Sequence, residues 1–266
     1  MTIVFDKVKK LRGLRELTLN WKYFAFALPV MLLLNCNSSK QELSADQIVS
    51  KAIESHGGSL YDNMIVEFDF RNRHFKAQVK NGQYVYERSF ESDEGWVTDV
   101  YENKKFKRMV GEKEVELTGE VSRTYQNATN SVIYFALLPF HLDDPVINRQ
   151  LMRSVEIKGQ PYHKVEVTFG DGGGDNFENS YVYWIHKNNF TIDYFAYSFN
   201  VNGGGVRFRE VSNVQVVEGI RFQDYNNYTI DKDYPAHELD YAFKMGDLEL
   251  VSTIELENIL VELNVD

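Results

Sequence analysis

Several groups of residues have types and spacings that chemistry could use. Asp171-Gly-Gly-Gly-Asp175-Asn176, with Glu178 close behind, gathers oxygen ligands on a flexible backbone, as a calcium loop does. The oxygen spacing of an EF-hand is missing, and Gly-rich calcium repeats come in arrays whereas this motif occurs once; a wide hairpin turn explains it better. His237-Glu238-Leu-Asp-Tyr241 begins like a zinc-binding helix, but Tyr241 stands where the second histidine must share the metal. A solvated polar loop is the plainer reading. The six histidines are scattered with no pair at ligand spacing. Asp143-Asp144 offers two carboxyls, yet adjacent residues seldom aim at one substrate atom, and Pro145 behind them fits turn initiation. No nucleophile elbow, P-loop or dinucleotide fingerprint is present. No cofactor, metal site or catalytic residue is assigned. What remains is Cys36, the only thiol in the chain.

Cys36 ends an apolar stretch, Tyr23–Leu34, of twelve residues. A bilayer-spanning helix needs about 20, whereas the apolar region of a secretory signal needs about 7–15. Ahead of it Lys7, Lys9, Lys10, Arg12, Arg15 and Lys22 outnumber Asp6 and Glu16, giving the positive flank that stays in the cytoplasm. Leu33-Leu34-Asn35-Cys36 resembles the lipobox of bacterial lipoproteins, in which the cysteine is acylated and becomes the mature N-terminus. Asn35 departs from the usual Gly, Ala or Ser. The resemblance implies a signal peptide over 1–35, an anchor at Cys36 and a tether over 36–43, with lipoprotein processing and sorting machinery as partners. Several acyl chains make such attachment durable, because one chain alone holds only marginally. Asn37 is not the aspartate that resembles an inner-membrane retention signal, which favours the outer membrane within the cell envelope.

Beyond residue 35 there are 231 residues with 23 basic and 37 acidic side chains, a net charge of −14. That balance argues against nucleic acid and against adhesion to anionic headgroups, both of which need basic patches. A domain of this size buries roughly 70–75% of its unfolded surface and needs no disulfide.

The elements follow from pattern. Ser44 and Gln47 make a capping box, Ile48, Val49, Ala52 and Ile53 share one helical face, and Gly57-Gly58 ends the helix. From Met64 the period becomes two. Asn81-Gly82 between alternating runs marks a hairpin, and strands continue through 95–118. The apolar run over 128–138 predicts a helix ended by Pro139. Hairpins then occupy 154–169, 179–199 and 206–230, turning at Lys187-Asn188-Asn189 in the second and Glu218-Gly219 in the third. In the first, Val165, Val167 and Phe169 face the core while Lys164, Glu166 and Thr168 face out. A polar stretch around Asp231–Leu239 precedes the last strands over 248–263. In 180–186 both faces are apolar, with Tyr181, Tyr183 and Ile185 on one and Val182 and Trp184 on the other. Either both faces are covered or one lines an apolar cavity. Long meanders curl, because closure removes exposed edges.

Residues 48–58 (IVSKAIESHGG), 131–145 (SVIYFALLPFHLDDP) and 159–199 (GQPYHKVEVTFGDGGGDNFENSYVYWIHKNNFTIDYFAYSF) resemble a family of Gram-negative lipoproteins similar to the LolA/LolB type of fold. The resemblance implies one mainly β domain (α+β) over 44–266. It would be an antiparallel curved sheet, a half-open β-barrel with an N-terminal and a mid-chain helix on its concave side. That fold carries acyl chains or other apolar ligands, and no catalytic residues come with it. Tyr134, Phe135, Leu138 and Phe140 are then either plain core or the lining of a ligand pocket, with Trp96 and Trp184 as further wall candidates. Three functional readings stand: a non-enzymatic binder of an apolar small molecule, an adaptor docking an envelope protein, and an enzyme whose site the scattered Asp, Glu and His residues do not reveal.

Overall fold

Alternation of apolar and polar residues from Asn63 onward lays down fourteen strands in the computed structural model, which describes residues 42–169, 180–200 and 203–264. The first six are β1 (Asn63–Phe70), β2 (Arg73–Lys80), β3 (Gln83–Ser92), β4 (Gly95–Glu102), β5 (Lys105–Val110) and β6 (Lys113–Val115). A helix, α2 (Gly119–Ala136), separates them from β7 (Ile147–Ile157), β8 (Gln160–Phe169), β9 (Tyr181–His186), β10 (Ile192–Phe199), β11 (Gly205–Val217) and β12 (Ile220–Thr229). Helix α1 (Ala45–His56) opens the fold; α3 (Leu239–Met245), β13 (Glu249–Ile254) and β14 (Glu257–Leu263) end it. All pairings are antiparallel, in two seven-stranded sheets ordered β14-β1-β2-β3-β4-β5-β6 and β13-β12-β11-β10-β9-β8-β7.

The two sheets adjoin where the chain steps from β13 to β14. That seam is tied by side chains: Asp224 accepts from the Leu256 amide (2.9 Å) and Gln215 donates to the Leu256 carbonyl (3.1 Å). Bulges at Met152–Val155 and Val211–Asn213 bend the long strands β7 and β11. β6 and β7 end the two sheets without pairing, so the shell is a half-barrel and not a closed one. Leu43–Asp266 packs as one unit.

The expected capping box is formed, with the Gln47 amide donating to Ser44 Oγ (3.2 Å) and the Ser44 amide to Gln47 Oε1 (2.9 Å). It starts α1 so that Ile48, Val49 and Ala52 face the second sheet's inner side, among Val165, Val167, Tyr183, Ile185 and Phe195. Asn81 and Gly82 both take positive φ (52° and 76°), the left-handed geometry that a two-residue hairpin demands.

Helix α2 begins nine residues before the apolar run and ends at Ala136. Its first half is polar and largely exposed, so no apolar stripe announces it; its C-terminal end buries Ile133, Ala136 and Leu137 against Phe68, Phe75 and Phe222.

The second difference lies on the outside of the second sheet. The polar stretch after β12 folds into α3 and lies on that face, enclosing Trp184, Phe208, Val182, Tyr194 and Leu239 in a core of their own. Full burial of one such side chain is worth about 1.5–3 kcal/mol. Lys164 therefore does not face water as its alternation implied. It is buried, and its Nζ donates to Asp240 Oδ1 of α3 at 2.8 Å. Both faces of 180–186 are apolar because both faces are covered.

Candidate functional site

Where α2 crosses the seam between the sheets it leaves a half-open cavity of about 370 Å³. Val132, Phe135 and Ala136 of α2 form one side, and Phe70, Ile254 and Leu256 come from the end of β1, the end of β13 and the step between β13 and β14. The opposite wall is β10–β12, which presents Tyr197, Phe199, Arg207, Arg209, Gln223 and Tyr225. Strand alternation produces that wall: Val206 and Phe208 turn outward into the α3 core, so Arg207 and Arg209 must turn inward.

Ring packing holds the wall. Phe135 stacks on Phe195 and tilts against Tyr197, each with ring centroids 5.4 Å away. The Arg209 guanidinium lies over Phe135 at 4.4 Å and within 5.1–6.0 Å of Phe195, Tyr197 and Tyr225. Its Nη2 donates to Tyr197 Oη at 3.1 Å. Arg207 donates from Nη1 to the Val206 carbonyl (2.8 Å) and Thr229 Oγ1 (2.9 Å) and lies over Phe199. Deeper in, Tyr225 Oη donates to Gln223 Oε1 (3.2 Å), and Gln223 Nε2 donates to the Ile192 carbonyl (2.9 Å). Burial, opposed in part by the Arg209 and Arg221 charges, pushes the Tyr225 phenol well above its ordinary range, so it stays a neutral donor. The polar groups of the wall are cations, an amide and phenols, which suit recognition. Among the described residues no group of three His, Cys, Asp or Glu side chains could hold a metal ion.

The residues singled out by sequence disperse. Phe135 lines the cavity. Tyr134 packs in the second inner core with its hydroxyl 3.3 Å from that of Tyr183. Leu138 is buried in that same core, and Phe140 stacks on Tyr61 at 5.0 Å in the first. Trp184 turns the other way: it is fully buried beneath α3, edge-on to Phe208 at 5.3 Å, because its strand neighbours Tyr183 and Ile185 occupy the inner face. Trp96, at the start of β4, is 55% exposed and touches no part of the cavity wall. Cys36 and the Asp171–Glu178 motif lie outside the described residues. Asp144 does serve a turn, Oδ1 accepting from the Val146 amide at 3.0 Å. His237 and Glu238 extend into solvent from the turn before α3.

Sequence reasoning missed Arg207 and Arg209. The signal was present in Val206-Arg207-Phe208-Arg209, where period two puts both cations on one face and Val206 and Phe208 on the other.

A half-barrel of two antiparallel sheets with an internal, largely apolar cavity under a helix defines the class of protein. In sequence the chain belongs to a family of unknown function, DUF6503, which matches residues 21–256. No curated protein matches it. Among solved structures it is similar to a LolA superfamily protein from Nitrosomonas europaea (12% identity, TM-score 0.49, 84% of this chain and 95% of that one). It is also similar to a DUF1329 family protein from Desulfovibrio piger (11% identity, TM-score 0.43, 85% and 96% of the two chains).

Proposed function

We propose that this protein binds an apolar, chain-like ligand, a lipid or acyl chain, in the cavity beneath α2, and that it does so as a carrier or receptor and not as an enzyme. The observation that carries the reading is the cavity itself, whose size falls in the range of small-molecule sites, roughly 300–1,000 Å³. Its lining of Phe70, Val132, Phe135, Ile254 and Leu256 offers an apolar surface that water solvates poorly.

The same proposal places the protein in the cell envelope, tethered through acylated Cys36. No helix among the described residues is long and apolar enough to cross a membrane, and a strongly acidic body gains nothing from anionic headgroups. A covalent lipid at Cys36 supplies the attachment. Metabolic labelling with an alkynyl palmitate should mark the wild-type chain and leave Cys36→Ser unmarked; an unmarked wild type removes the anchor from the proposal.

Ligand binding is tested separately on residues 37–266, which include the whole packed unit. Native mass spectrometry should find an apolar adduct, and a fluorescent fatty acid should bind. Ser131→Trp, placing an indole at the cavity wall from an exposed helix position, should abolish uptake without unfolding the protein. Protein that is uniformly empty and takes up no fatty acid sinks the reading.

A further inference from the structure

The wall of the cavity contains a charge that nothing in the described structure neutralises. Arg209 keeps only 9% of its surface. A guanidinium is never discharged in a protein and carries five donors. Among the described residues only Nη2 finds a partner, the Tyr197 hydroxyl, and Nε is buried with no acceptor. No carboxylate among the described residues forms an ion pair with it. The acids next to it in the sheet are committed elsewhere. Glu210 takes Lys158 and the Tyr228 hydroxyl, and Asp224 takes the Asn213 amide and the Leu256 backbone.

Burying an unpaired cation costs several kcal/mol even after relaxation. The surrounding rings return part of that, since a desolvated cation–π contact is worth about 2 kcal/mol. Beyond the Tyr197 hydroxyl they supply no hydrogen-bond acceptor among the described residues, and Nε has none, whereas a planar anion can take two guanidinium donors at once. The cation faces a cavity whose far side is Phe70, Val132, Ile254 and Leu256. A molecule complementary to both halves has one acid group and one apolar chain. At about 370 Å³ the cavity lies at the lower end of ligand sites, which suits a single chain better than a diacyl lipid.

We infer that the ligand is a single-chain amphiphile with a carboxylate head, the head seated on Arg209 and the chain lying across the apolar side. The inference rests on the reading of the cavity as an acyl-chain site and adds its head-group chemistry. Arg207 is the secondary cation: its Nη1 is held by the Val206 carbonyl and Thr229 Oγ1, so it contributes field more than contact.

Calorimetric titration of residues 37–266 with dodecanoate, dodecanol and dodecyl phosphate separates the possibilities. A hydrogen bond to a charged group is worth enough to make dodecanoate bind about tenfold or more tighter than dodecanol. Arg209→Met should erase that difference while dodecanol binding survives, which also shows that the variant is folded. Arg207→Met should weaken dodecanoate by about twofold, as a more distant charge does. Equal binding of dodecanoate and dodecanol to wild type overturns the inference and leaves the apolar-ligand reading intact. Binding of dodecyl phosphate without dodecanoate overturns the carboxylate assignment. Failure of all three to bind removes both readings.

Discussion

Two buried arginine sites lie on the inner surface of the half-barrel, one in each sheet, and they are built on opposite principles. In the first sheet Arg88 of β3 and Arg108 of β5 close on the fully buried Asp99 between them. Arg108 grips it with Nε to Oδ1 (2.6 Å) and Nη2 to Oδ2 (2.8 Å), and Arg88 adds Nε (3.0 Å) and Nη2 to the same Oδ2. Arg108 also lies over Tyr125, seating the exposed first half of α2. In the second sheet Arg209 has rings around it and, among the described residues, no acid paired with it. One site is a completed cross-link; the other is an incomplete one beside a cavity. Cations hydrogen-bonded to an acid of the chain itself hold structure, and a cation left without one at a cavity awaits a partner.

The largest effect that would sharpen this contrast is loss of Asp99. Asp99→Ala leaves two arginines buried without an anion, and breaking a buried pair this way costs about 3–5 kcal/mol. For a chain of this size that lowers Tm by about 10 °C, measurable by calorimetry. A change under about 1 kcal/mol would show that the triad is dispensable and would dissolve the distinction.

His56 supplies the third solution to the same problem, on the α1 side of the second sheet. Its Nδ1 donates to the Ala52 carbonyl at 2.8 Å, and burial, with a smaller contribution from the Arg221 charge, lowers its pKa to about 4. Unable to pair, this base sheds its proton, an escape closed to arginine. The unfolded chain takes up that proton near pH 6.5 and the folded one only near 4, so the unfolded state binds more protons in between. The His56 contribution is therefore complete above pH 6.5 and declines as pH falls, by about 3 kcal/mol at pH 4. In paired melts from pH 7 to pH 4, His56→Gln should show a shallower fall in Tm than wild type. Parallel slopes would mean that His56 is protonated in the fold, and that a buried cation is tolerated here more widely than the contrast allows.

Arg209→Met should move stability little, within about 1 kcal/mol and toward higher Tm, since an apolar residue replacing an uncompensated buried ion is commonly neutral or stabilising. Residues kept at a binding site against the interest of stability behave this way. A loss above about 2 kcal/mol would recast Arg209 as a clamp for the Phe135–Tyr197 rings.

Much of the scaffold was legible because it is local. Asn81-Gly82, Ser44 with Gln47, and the strand alternation all act over a few residues, and each appears as expected. What was not legible depends on distant partners. Lys164 reads as a surface residue until α3 arrives from 76 positions away to supply Asp240. The first half of α2 lacks an apolar stripe because it rests on Arg108 through Tyr125. The two-faced strand 180–186 leaves two outcomes open from sequence, both faces covered or one lining a cavity; the fold covers both, with Tyr183 and Ile185 in the inner core and Trp184 under α3. Arg209 was hidden for the same reason: an arginine in a strand reads as solvated unless the opposite face is known to be filled.

Trp96 gives the smallest expected effect and the sharpest check on that lesson. It is the aromatic that composition most invites into a pocket, and it sits three residues before Asp99. Successive side chains of a strand point to opposite faces, and here Val97 and Asp99 point inward, which turns Trp96 out to solvent. Trp96→Ser should change stability by no more than about 0.5 kcal/mol, as surface substitutions do. It should leave dodecanoate binding as in wild type. If binding fell with this substitution, the ligand would be contacting the outer face of the first sheet, and neither the cavity nor Arg209 would be where it is held.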